Sequence, residues 1–514
     1  MVASSHPLSS QAGIDILKQG GNALDAAIAV CAVQCVVEPQ STGIGGDCFC
    51  LFAPECSADL IAYNGSGQTP AAASFDWYQK HGITEIERQS PHSVTVPGAI
   101  NAWHQLNADH GAMPLAEVLA PAISYARDGY PIHSRVGADI FKQIDLLKND
   151  TNAAAVFLVN GKTPVEGSMH RQPALARTLE SIAEHGRDAF YHGAIAEDIV
   201  GYLQRLGGLH TLEDFASVSG EYVKPLSTRF REYDVYQVPP NGQGVIALQL
   251  LNIVSELEHR NTSVLNARRM HLEIEAGRMA YQDRNLFVAD QRHAEVPVDW
   301  LLSAEHAAEI RSAINPDTAL ADLPSFNSPL QKSTVTISVV DKNRNACSFI
   351  NSLFHGFGSV QMAPKSGVML HNRGQSFNLE KGHPNCIGPN KRPMHTIIPG
   401  MVAKGDKVVM PYGVMGGHYQ SYGHMQFLTR MIDFGMDIQE AQDLPRIFPI
   451  PEENAVEYES TLPEDIVNEL RSMGHNMVPA ENPIGGSQAI WIDHEEGVLT
   501  GGSDPRKDGC AIGY

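Results

Sequence analysis

Apolar residues recur at helical spacing through the front of the chain and at alternating spacing through its back. Ile14, Ile16 and Leu17 mark a helix capped by Ser10, running to Gln19 and stopped by Gly20. Asn22 caps a second helix, which ends before Pro39; its small residues Ala23, Ala26, Ala27, Ala29 and Ala32 permit close packing. The same spacing predicts helices over 115–128, 173–185, 195–206, 244–257 and about 265–284. Past residue 330 the period changes. Thr334, Thr336 and Ser338 alternate with Val335, Ile337 and Val339, which is strand periodicity, and the polar run 341–345 predicts a turn into a second strand over 346–352. Further strands are predicted over 396–402, 407–412, 489–492 and 498–500, with a helix from about 421 to 434 between them.

Composition narrows the class. The length of 514 residues suggests three or four domains at about 150 residues each, but glycine and proline are spread through turns, so loosely tethered modules are not expected. With 43% hydrophobic residues and no long charge block, the chain has a core to bury and is not disordered. Acidic residues outnumber basic ones 58 to 37, and the net charge of −21 argues against nucleic acid or an anionic membrane as partner. The apolar stretches fall far short of the ~18–20 residues of a membrane span. No secretory leader opens the sequence, so a cytoplasmic or already trimmed protein is expected. The eight cysteines form no CxxC pair and read as free buried thiols rather than disulfides or a zinc site.

Several motifs invite chemistry and fail on context. The glycine-rich run from Ser41 to Asp47 lacks the helix that must follow a phosphate cradle; Cys48 to Phe52 read as a buried strand instead. His371, His383, His395, His418 and His424 lie in one region without the paired spacing of helical zinc sites, so no metal and no cofactor are expected. Asn64-Gly65-Ser66-Gly67 does not have the spacing of a nucleophile elbow. One nucleophile remains: a hydroxyl whose own α-amine is the base, released when the chain cuts itself just before it. A free α-amine has a pKa of about 8 and accepts a proton at neutral pH. Thr334 opens an alternating strand after the polar stretch 324–333 and fits that role, although many strands begin with threonine.

The chain also resembles the γ-glutamyltranspeptidase family over nearly its full length. The similarity is carried by Met1 to Leu8 and Gly20 to Ala27, then by Val96-Pro97-Gly98-Ala99, Pro121-Ala122, Asp128-Gly129 and Asp283-Arg284. It continues through Thr334 to Asp341, Phe357-Gly358, Gly388 to Pro393, Gly416-Gly417 and Asp504-Pro505-Arg506. The resemblance implies an α+β fold, the four-layer αββα sandwich of N-terminal nucleophile hydrolases. It implies a zymogen that autocatalytically cleaves between Ser333 and Thr334. A large subunit (1–333) and a small one (334–514) would interweave in one fold, as a single pair or a dimer of pairs. By position, Thr334 would be the nucleophile, Ser352 would stand where the family has a supporting threonine, and Gly416 and Gly417 would hold the oxyanion.

The departures from the family concern the substrate. The carboxylate-binding arginine aligns with Ser66, an asparagine with Phe354, a glutamine and an aspartate with Arg373 and Ser376, a serine pair with His395-Thr396, and the second threonine of the small subunit with Val335. A buried α-ammonium with no acidic partner is costly, whereas Arg373 offers a fork to a carboxylate and His395 a second candidate contact. The variant motifs resemble a divergent γ-glutamyltransferase-like and oxamate amidohydrolase-like branch. The expected partners are therefore a small carboxylate-bearing amide and water, with Arg373, His395, Thr396 and Phe354 lining the pocket. The alternatives are a γ-glutamyl hydrolase or transpeptidase acting on compounds such as glutathione, and an unprocessed, catalytically silent binding protein.

Overall fold

The computed structural model describes residues 1–257, 262–320, 323, 333–451 and 453–514. Of the polar stretch expected to precede the Thr334 strand, only Ser333 falls among them. In chain order the strands of the two main sheets are β1 (Val2–Ser4), β2 (Asp47–Ala53), β3 (Ile61–Gly65), β4 (Glu221–Val223), β5 (Leu226–Phe230), β6 (Tyr233–Gln237), β7 (Val335–Val340), β8 (Ala346–Ser352), β9 (Pro399–Lys404), β10 (Lys407–Met415), β11 (Gly486–Ile492), β12 (Leu499–Ser503) and β13 (Cys510–Ile512). One sheet runs β13-β1-β7-β8-β2-β3-β4, the other β12-β11-β10-β9-β6-β5. Neighbours within both sheets are antiparallel. As expected, helices dominate before Ser333 and strands after it, but both parts contribute to each sheet: β1 to β6 all come from the front.

The sheets pack face to face. Phe49, Leu51, Ile350, Met401 and Ile490 fill the space between them, and polar side chains stitch it: Ser338 Oγ donates to the Gln488 carbonyl at 3.1 Å and Ser348 Oγ to that of Tyr412 at 2.7 Å. The alternation in β7 therefore has a direction. Thr336 and Ser338 look toward the second sheet, while Ile337 and Val339 join the outer core beneath a layer of helices.

Helices cover the outer faces or support those that do, among them α1 (Pro7–Gln19), α2 (Ala23–Val37), α3 (Ala99–His110), α4 (Leu115–Asp128), α5 (Pro173–His185), α6 (Gly244–Val254), α7 (Ala267–Phe287) and α8 (Tyr419–Phe434). Every residue of α2 is buried, as a helix apolar all round must be; it lies between the first sheet and α4. Its N-terminus carries the capping box Asn22/Asp25, a device that stabilises a helix by about 1 kcal/mol. The start of α1 differs from expectation. His6 caps it through Nδ1 and Pro7 takes the first helical position, where its missing N–H costs nothing. Ser10 instead bonds Ser4 Oγ and the Cys510 carbonyl. Against the second sheet, α6 and α8 bury Ile246, Leu250, Tyr422 and Met425 with Val402 and Met410. All eight cysteines are free, seven of them buried. Among the described residues no helix is long and apolar enough to cross a membrane.

Candidate active site

The β7–β8 hairpin sets the centre of the site. Its register pairs Val335 with Asn351, which brings Thr334 opposite Ser352, and the two hydroxyl oxygens are 3.1 Å apart. Thr334 Oγ1 also donates to the carbonyl of Ser333, at 2.5 Å, within the continuous chain. Ser352 Oγ accepts from the N–H of Phe354 at 2.9 Å. Phe354 holds φ at +81°, a region that non-glycine residues occupy at a cost of order 1–3 kcal/mol and that gathers at functional sites.

From Phe354 the site continues into charge. Its ring lies 4.2 Å from Cζ of Arg373, within cation–π range. Arg373 is fully buried. Nη1 donates to Thr396 Oγ1 at 2.8 Å, while Nε and Nη2 have no hydrogen-bond partner among the described residues. Those two atoms form one edge of the guanidinium, the edge that matches a carboxylate in a side-on fork. Burial pushes Arg373 down to about 9, against the pull of the Asp47 carboxylate, so it stays charged at neutral pH. Ser376 ties its turn in place by donating to the carbonyls of Arg373 and Met394.

His395 takes a different place from the anion contact expected of it. Its Nε2 bonds Asp47 at 3.0 Å and its Nδ1 accepts from Ile397 N–H at 3.4 Å. Burial, then the neighbouring Arg373, push it down to about 3 despite Asp47. A neutral ring whose single N–H is committed to Asp47 has no donor for an anion. Thr396 reaches Arg373, so this dipeptide joins Asp47 to Arg373.

The glycine pair stands where β10 turns into α8. Gly416 and Gly417 have φ of +126° and +62°, the left-handed region that glycine enters without penalty. Gln243 clamps the pair to the rest of the site, its Nε2 donating to the carbonyls of Gly417 at 3.0 Å and Thr396 at 2.9 Å. One connected network therefore runs Thr334–Ser352–Phe354–Arg373–Thr396–Gln243–Gly417. Ser66, the position aligned with the missing arginine, donates to the carbonyl of Gly67 and accepts from Asn241 Nδ2.

Gln243 has no mark in the sequence, and Asp47 and His371 stand out there only as the end of a glycine-rich run and one of a group of histidines, not as partners at this site. Asp47 carries the clearest signal in hindsight: an acid heading a wholly apolar strand must find buried partners. Among the described residues no cluster of three or more His, Cys, Asp or Glu side chains could hold a metal ion.

The model of one family, described as gamma-glutamyltranspeptidase, matches residues 9–514. A glutathione hydrolase-like YwrD proenzyme of Bacillus subtilis is 37% identical, the match covering 100% of this chain and 98% of that protein. An oxamate amidohydrolase proenzyme of Klebsiella pneumoniae is 32% identical, with 100% and 98% covered. The crystal structure of a cephalosporin acylase from Bacillus halodurans superposes with a TM-score of 0.93 at 39% identity, covering 100% of this chain and 96% of that one.

Proposed function

The chain belongs to the gamma-glutamyltranspeptidase family, and on that footing we propose that it is a proenzyme which cuts itself between Ser333 and Thr334 and then hydrolyses small amides that carry a carboxylate. The two sheets with helices on both outer faces are read as the four-layer αββα sandwich of N-terminal nucleophile hydrolases. In the mature enzyme the Thr334 α-amine, with a pKa of about 8, takes the proton of Oγ1 as that oxygen attacks the amide carbonyl carbon. Ser352 orients the hydroxyl. The Gly416 and Gly417 N–H groups, at the start of α8, hold the developing oxyanion; a donor of this kind contributes about 3 kcal/mol to the transition state. The C–N bond breaks, the departing nitrogen takes the proton from the Thr334 ammonium, and a threonyl ester remains. Water then attacks the ester, its proton passes through the amine to Oγ1, and the acid leaves.

The observation that carries the substrate class is the unpaired edge of Arg373, buried and one residue contact from the Phe354–Ser352–Thr334 chain. The carboxylate whose charge acts on Arg373, Asp47, already has N–H partners on several sides, so it is not open to the α-ammonium of a γ-glutamyl group. An amide adjacent to a carboxylate, as in oxamate, matches both facts. The purified protein should run as two fragments meeting at Ser333/Thr334 on a denaturing gel, with masses that confirm the cut. It should release ammonia from oxamate faster than aniline from a γ-glutamyl anilide. Release from the anilide alone would replace the substrate class, and a chain that stays whole under all conditions would favour the silent binding protein.

A further inference from the structure

The glycine-rich run that ends in Asp47 has no part in the chemistry above, yet it lies directly behind it. A Cβ at Gly46 would sit 2.2 Å from the carbonyl oxygen of Ser352, so only glycine lets this segment press against the end of β8. That approach delivers Asp47 to the centre of the fold, completely buried. Its Oδ1 accepts from the N–H groups of Gly67 at 2.8 Å and Gly98 at 3.0 Å. Its Oδ2 meets His395 Nε2 at 3.0 Å and His371 Nδ1 at 3.4 Å. Four chain segments thus converge on one carboxylate. Burial opposes its charge, but His371 and His395 more than offset that and hold its carboxyl well below the usual range. His371 is braced from behind by Thr95 at 2.9–3.0 Å, and Gly45 accepts its backbone N–H.

We propose that Asp47 is a positioning residue for the anion pocket: it fixes the His395-Thr396 dipeptide and, through Thr396, the orientation of Arg373, so that the enzyme selects amides bearing a carboxylate. This rests on reading Arg373 as the carboxylate-binding group. Asp47 touches neither substrate nor nucleophile. It acts by leaving His395 one tautomer and one rotamer, which sets the Thr396 hydroxyl under Nη1 and leaves Nε and Nη2 for the substrate.

Oxamate and oxamide, the same skeleton with the carboxylate replaced by a neutral amide, separate the possibilities. Wild type should favour oxamate in kcat/KM for ammonia release. Asp47→Asn should lose about tenfold or more of that preference, mainly through the KM of oxamate, while still splitting into two fragments and losing far less of its rate on oxamide than on oxamate. His395→Phe is the second variant, its ring seated beside Phe49, 4.8 Å away in the native pair. It removes the ring's hydrogen bonds to Asp47 and Ile397, and with them the link toward Arg373, and should lose the same preference even if Asp47→Asn does not fold. A wild type that does not favour oxamate overturns the carboxylate reading and this inference together. A wild type that does, beside a folded variant that keeps the preference, overturns the role of Asp47 alone.

Discussion

The two sides of the site around Thr334 are assembled in contrasting ways. The nucleophile side is one hairpin, in which a five-residue turn sets the register and the register brings two hydroxyls together. No charged side chain is needed there. The binding side draws Asp47, Phe354, Arg373 and His395-Thr396 from four separate segments and depends on buried charge and a residue at positive φ. A hairpin of this kind supports one reaction on many substrates, whereas a wall of loop residues can change its ligand without disturbing the strands behind it.

That contrast breaks most readily at the nucleophile. Thr334→Ala should remain a single chain and lose activity by about 10⁴-fold or more, as removal of a covalent nucleophile does. Thr334→Ser should keep both functions at reduced rate, since a hydroxyl and an α-amine persist. Gel mobility and ammonia release check both variants. If Thr334→Ala still divides and still works, the hairpin is not the catalytic side.

Arg373→Met should do the reverse: the chain divides normally, but kcat/KM for a carboxylate-bearing amide falls by about 10²-fold, the order expected when charge-assisted hydrogen bonds are lost. Arg373→Lys should recover little of this, because an ammonium cannot supply the planar fork. A lysine variant with full activity would show that the pocket needs only a positive charge.

The pH dependence should divide along the same line. Activity requires the free amine of Thr334, so kcat should fall about tenfold per pH unit on the acid side of that amine's pKa of ~8. The binding wall should not titrate across that range. His395 is held down at about 3 and is neutral above it, while Arg373, even pushed down to about 9 by burial, is charged below that value. KM for the anionic substrate should therefore stay level from pH 5 to 8 while kcat changes. A KM that improves as pH drops below about 6.5 would mean that a histidine binds the substrate as imidazolium.

The same contrast explains what could be read beforehand. The alternation of β7 and the polar turn after it were visible in sequence, and together they place residue 334 opposite 352, because 340 must face 346. Most of the long helices were legible for a similar reason: Asn22 is a local cap and 173–185 a local period. The strand β2 was visible as a buried apolar run, but its role in the sheet was not, since a strand buried on both faces shows no alternation. β1 and β13 are three residues each, too short for any period. On the binding side, Arg373 could be singled out because the family resemblance marks its loop and its guanidinium suits a carboxylate. His395 could not be assigned correctly, because its partner Asp47 is 348 residues away and nothing near position 395 reveals that its proton is already committed.

Phe354 offers the smallest effect and tests whether the binding wall depends on a ring or on a backbone shape. Its φ of +81° is strained for any residue with a Cβ, and its N–H must reach Ser352 Oγ for the nucleophile and binding sides to remain in register. Phe354→Ala removes the ring and keeps the strain; Phe354→Gly removes both. If the backbone matters more, the glycine variant should be more stable than the alanine variant by about 1 kcal/mol and hold kcat near wild type. Both should show KM raised by only a few-fold, the cost of losing about 1 kcal/mol of cation–π contact with Arg373. Thermal melts of the two variants measure the first difference, and oxamate kinetics the second. Equal stability with a large loss of kcat in both would mean that the ring itself shapes the approach to Thr334, and that the two sides of the site are less separable than their construction suggests.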